Sequence, residues 1–133
     1  MSDRLSPQEM HYLAMNVVGE DLNEQGYEFL GVNSDLKKNP QFVALKDKTI
    51  HFIVVRAVQY PQDPDQMDEA LMIKMRGHAE AHEAKLAYAG VGLGHGTNYG
   101  APPLKDEPYT QVYNGIKWLW RLTLKAYLLC CWF

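Results

Sequence analysis

The stretch QFVALKDKTIHFIVVRAV, residues 41–58, constrains the fold most strongly. Two apolar runs flank the polar pair Asp47-Lys48, which predicts a β-hairpin. Along the second run, successive side chains point to opposite faces. Ile50, Phe52 and Val54 share one face, and Ile53, Val55 and Ala57 share the other. A strand apolar on both faces belongs in the middle of a sheet with a layer packed on each side.

The flanking sequence supplies those layers. SPQE at residues 6–9 is a helix start: Ser6 caps, Pro7 suits the first turn and Glu9 completes a capping box. Met10, Leu13, Ala14, Val17 and Leu22 follow at helical spacing, and Gly26 ends the helix near residue 25. YEFLGV, residues 27–32, reads as a strand, and NSDLKKNP as a polar connector. After the hairpin, Asp63 and Pro64 predict the cap and first position of a second helix over residues 65–85. A short buried strand is expected over residues 87–93, then a Gly/Pro-rich loop, then an edge strand over residues 109–116. The order is α-β-β-β-α-β in an α/β domain with a central mixed sheet. It spans residues 1–116 and is followed by a hydrophobic and basic helical tail over residues 117–133.

The 133 residues suit one domain, and neither the 47% hydrophobic nor the 22% charged content departs from globular norms. A formal charge of −3 gives no global attraction to nucleic acid, so any basic surface is local. The two cysteines, Cys130 and Cys131, are adjacent, which fits neither a disulfide framework nor a CxxC metal site. The opening residues carry no apolar signal region, and no 18-residue uncharged apolar run occurs. These features lead to the expectation of a cytoplasmic protein, with the tail allowing peripheral contact at the inner face of the membrane.

The element order, together with GYEFLGVN and FVALKDKTIHFIVVR, resembles the restriction-endonuclease-like PD-(D/E)-x-K nucleases, and in particular the small bacterial predicted endonucleases related to archaeal Holliday-junction resolvases. The likeness covers roughly residues 7–93. It implies an acid on the first hairpin strand and an acid-x-lysine on the second. Residues i and i+2 of a strand face the same way, so the acids hold Mg²⁺ through hard oxygens beside a lysine at the attacking water. Matched here without gaps, those positions are Gln41, Val54 and Arg56. Valine cannot ligate a metal, Gln41 lacks the charge, and Arg56 stays protonated. Asp35 and Lys37 repeat the acid-x-lysine spacing, but in the connector.

The segments YEFLGVNSDLKKNPQFVALKDK, KLAYAGVGLGHG and YTQVYNGI are also similar to a small family of Bacteroidetes-type bacteria that carries the label of the Na⁺-translocating NADH-quinone reductase, specifically of its FAD- and 2Fe-2S-binding component. That label implies a respiratory association. The residues present do not supply its redox chemistry: a 2Fe-2S cluster takes four cysteine thiolates, and this chain has two.

His78 and His82 lie one helical turn apart, a spacing that either chelates a metal or packs as a pair; packing is expected. GVGLGHG, residues 90–96, departs from the dinucleotide pattern because His95 replaces its last glycine. Asp35, Arg56, His78, His82 and His95 form the candidate anion or ligand cleft. In the tail, Lys117, Arg121 and Lys125 make a basic stripe beside Trp118 and Trp120, a pattern for protein docking, self-association or an anionic membrane surface. The expected function is a non-catalytic accessory or binding protein on a degenerate nuclease-like scaffold, without metal or cofactor. The alternatives are an accessory of a Na⁺-translocating NADH-quinone reductase and a divergent metal-dependent nuclease with a displaced site. Nucleic acid stays open as a partner.

Overall fold

A computed structural model describes residues 3–35, 38–98 and 100–119. Its elements are α1 (Pro7–Glu24), β1 (Glu28–Val32), β2 (Phe42–Lys46), β3 (Thr49–Gln59), α2 (Glu69–Ala81), β4 (Lys85–His95), β5 (Tyr109–Tyr113) and β6 (Lys117–Leu119). The hairpin forms where its composition places it. Asp47 and Lys48 have φ of 53° and 65°, the backbone a two-residue turn needs to match strand twist. Both halves of the capping box on α1 are made: Ser6 Oγ accepts from the Glu9 N–H at 3.1 Å, and the Ser6 N–H donates to Glu9 Oε1 at 2.9 Å.

The strands form one six-stranded mixed sheet in the order β1-β2-β3-β4-β5, with β6 also paired to β4. β1, β2 and β3 form an antiparallel meander. β3 and β4 are parallel, in register from His51 opposite Lys85 to Gln59 opposite Leu93, and α2 makes the crossover between them. β5 and β6 divide the far side of β4: β5 pairs with its C-terminal half and β6 with Leu86, Ala87 and Tyr88.

Both faces of β3 are covered, as its two apolar faces require. On one side Ala14, Met15, Val18 and Leu22 of α1 pack with Ile53, Val55, Ala89 and Val91. On the other, Met72, Met75 and Ala79 of α2 pack with Phe52, Val54, Leu86, Tyr88 and Leu119. Each of the larger side chains contributes roughly 1.5–3 kcal/mol by burial, before ordering costs.

Several element bounds differ from the sequence expectation; β4 already starts at Lys85, and β5 ends at Tyr113. α2 starts at Glu69 with Asp68 as its cap, because Asp63 Oδ1 instead accepts from the Asp65 N–H at 2.9 Å and closes a local turn. The helix also stops at Ala81, well before Lys85: the Ala84 N–H returns to the Ala79 carbonyl, and Glu83 adopts φ 54°. β4 runs through the glycines to His95 rather than ending at Leu93. The helical tail begins instead as strand: β4 still has unpaired backbone beyond β5, and Lys117–Leu119 occupy it as β6. Residues 120–133 lie outside the described residues, and with them Trp120, Arg121 and Lys125. Among the described residues, no helix is long and apolar enough to cross a membrane.

Candidate functional site

Gln41, Val54 and Arg56 are brought together at the end of the hairpin away from its turn, and each is occupied. Gln41 is fully buried. Its Oε1 accepts from the Val55 N–H at 2.7 Å. Its Nε2 donates to the Lys38 carbonyl at 2.8 Å and to Asn39 Oδ1 at 2.9 Å. The side-chain amide thereby continues the β2–β3 ladder beyond Phe42 and ties the connector to it. Val54 is fully buried on the α2 side of the sheet.

Arg56 is half-buried. Its guanidinium donates to the Val55 carbonyl at 2.8 Å and to Asn39 Oδ1 at 3.0 Å. Both of these acceptors are neutral. Burial lowers the Arg56 pKa, with Tyr88 and Asp68 acting in the opposite direction. Asn39 Oδ1 thus joins Gln41 to Arg56 through a single acceptor.

The remaining cleft candidates divide. Asp35 and Arg56 both act electrostatically on His11 of α1, so these three share one neighbourhood. His11 is fully buried, and neither ring nitrogen has a hydrogen-bond partner. Burial first, then the Arg56 charge, lowers its pKa, and Asp35 opposes them. His78 borders the same connector across a shallow depression it lines with Asn39, Leu71, Lys74 and Met75. His82 lies beside it with ring centroids 4.6 Å apart and planes tilted by 57°, and both rings lie against Phe52, at 5.5 and 5.8 Å. His82 Nδ1 donates to the His78 carbonyl at 2.9 Å. The two histidines are solvent-exposed, and packing on Phe52 explains their spacing.

His95 is separate from this group. Its Nδ1 accepts from the Thr97 N–H at 3.2 Å and the Asn98 N–H at 3.1 Å, which places its proton on Nε2 and makes it the brace of the turn after β4. Among the described residues, no three His, Cys, Asp or Glu side chains converge as a metal site would require.

Sequence reasoning passes over His11 because it sits in α1's apolar stripe. The only signal is its spacing with Met15, Val18 and Leu22, which puts an imidazole where the helix is most buried. It also misses the opposite end of the sheet. There Tyr27, His51 and Trp118 meet, from three segments far apart in sequence, beside a cavity of about 390 Å³. The sequence pattern puts Trp118 on an external contact surface. It packs instead against the α1-side core, and Lys117 turns back to donate to the Asn114 carbonyl at 3.2 Å.

The chain belongs to the family described as Domain of unknown function (DUF8840), which matches residues 8–119, from the first turn of α1 to the end of β6. No curated protein matches it.

Proposed function

We propose that this domain is a non-catalytic binding protein on a restriction-endonuclease-like scaffold whose metal site has been converted into structure. The first six elements run α-β-β-β-α-β, which supports the scaffold reading. The observation that carries the functional reading is the commitment of Gln41. At the position where the resemblance expects a metal-binding acid, the side chain bonds the Val55 N–H, the Lys38 carbonyl and Asn39. An acid there would place negative charge against the last two, both acceptors, and a metal would have to displace the bond to Val55. Val54, at the second acid position, offers no ligand atom and is sealed beneath α2.

The test is cleavage of single- and double-stranded DNA and RNA by the purified full chain with Mg²⁺ or Mn²⁺. No cleavage above a buffer control is expected. Cleavage that disappears in Arg56→Ala or Asp35→Ala would show a displaced active site and defeat the reading.

A further inference from the structure

At the hairpin-turn end of the sheet the two layers part. Tyr27, His51 and Trp118 reach this end from the α1 side: Tyr27 and Trp118 stack with ring centroids 5.9 Å apart, and His51 stands edge-on to both at 5.1 Å. Ala79, Leu86 and Leu119 reach it from the α2 side. Between the two groups lies the cavity of about 390 Å³, in the size range of small-ligand pockets. Tyr27 and Trp118 are only partly buried, so aromatic surface stays exposed there among the described residues.

The chain itself continues from this wall. Leu119, 8% exposed, lines the cavity, and Trp120 follows it one Cα step of about 3.8 Å away. In WRLTLKAYLLCCWF, residues 120–133, only Arg121, Thr123 and Lys125 are polar, whereas the whole chain is 47% hydrophobic. Left in water, a segment of that composition would present an apolar patch of the kind that proteins rarely keep exposed. The cavity is the apolar surface it meets first. Its tether strengthens the contact: over a short linker the effective concentration is on the order of millimolar, so a contact too weak to hold a free peptide holds an attached one. The charged lining is balanced, with Arg76 and Lys85 against Asp47 and Glu80, and Arg76 Nε lies 3.1 Å from Glu80 Oε1. Charge therefore neither drives nor opposes an apolar occupant.

We propose that this cavity is the docking site for the chain's own residues 120–133, whose Leu and Trp side chains close the end of the sheet across both layers. The contact is intramolecular, because the tether outcompetes a second copy at protein concentrations well below millimolar. It is independent of the role given to Gln41.

The experiment places a nitroxide on this segment and maps the paramagnetic broadening it causes. Cys130 and Cys131 are the only cysteines, so in the Cys131→Ser full chain a nitroxide couples to Cys130 alone. The amide signals of Asp47, Ala79 and Leu86 and the Trp118 indole N–H should lose most of their intensity. Those of His95 and Tyr109, paired at the other end of β4, should keep it. Adding Leu122→Asp and Leu124→Asp keeps the attachment at Leu119 but weakens the apolar contact, and should restore most of the lost intensity. Broadening that is unchanged in that variant, spread evenly over the domain or centred elsewhere overturns the docking site. A mixture of nitroxide-bearing chain without isotope and isotopically labelled chain without nitroxide should show no broadening. Broadening in the mixture would assign the cavity to a second copy and overturn the intramolecular contact.

Discussion

Gln41 shows what a buried amide does at a strand end: its hydrogen bonds act as a ladder rung where β2 has ended. Gln41→Leu keeps the volume, strands the Val55 N–H in the interior and releases the Lys38 carbonyl. The expected cost is about 2–3 kcal/mol, read as a lower denaturant midpoint, because a buried group left unpaired loses its full desolvation energy. Unchanged stability would mean the amide is not holding the connector. His11 and His51 set the response to acid. Both have folded pKa values below the ordinary 6.5, chiefly through burial. The unfolded chain therefore takes up protons at a higher pH than the folded chain does. Their contribution to stability is complete above about pH 6.5 and is lost as pH falls below it. As pH falls below about 6.5, stability should drop by at most about 1.4 kcal/mol per pH unit per histidine. His11→Leu should remove part of that slope and leave the part due to His51; an unaltered slope would show that His11 does not titrate with folding.

At the scale of elements, the hairpin and the close approach of a loop to β4 make opposite predictions. Lys48 holds φ 65°, a conformation that costs an L-residue energy and glycine little. Lys48→Gly should stabilise the protein by about 0.5–1 kcal/mol, seen as a higher melting temperature. Gly90 faces the backbone of the 60–67 loop, and a Cβ there would collide with the Pro64 carbonyl. Gly90→Ala should destabilise by more than about 2 kcal/mol, since backbone rather than a flexible side chain must yield. An Ala variant as stable as the parent would show that the loop can retreat from the strand. The same elements show where sequence is sufficient. The hairpin, the α1 cap and the two-sided burial of β3 follow from local turn chemistry, local capping and period-two alternation, so they are legible. The glycines of β4 are not, because their meaning lies in Pro64, a residue distant in sequence. The start of α2 is displaced for a similar reason: Asp63-Pro64 has the composition of a helix start, but Asp63 closes a turn and Pro64 is buried near Gly90 and Gly92. Of the candidate cleft, Asp35 and Arg56 are legible only as separate candidates; in the structure both act on His11. The Asn39 bridge and the His11 contact depend on packing between α1 and the connector.

For the molecule as a whole, the question is where the domain ends. Sequence periodicity places the boundary after residue 116, yet Trp118 packs into the α1-side core and Leu119, 8% exposed, into the α2-side core. β6 therefore fastens both layers to β4, and the family match also reaches residue 119. A chain ending at Ile116 would lose the buried Leu119, the partly buried Trp118 and a strand pairing. It should be less stable than a chain ending at Leu119 by about 3–5 kcal/mol, the usual cost of emptying such sites. Against a typical total of roughly 5–15 kcal/mol, the shorter chain should be partly unfolded at ambient temperature. Circular dichroism and denaturant midpoints of the two truncations provide the measurement, and equal midpoints would make β6 dispensable. The chain ending at Leu119 then isolates residues 120–133. If Trp120, Arg121 and Lys125 mediate association, the full chain should differ from it in sizing or liposome co-sedimentation. Contact with an anionic membrane should weaken as salt is raised, whereas apolar docking should persist. Identical behaviour of the two chains in both assays would remove the association role and leave β6 as the functional end of the domain.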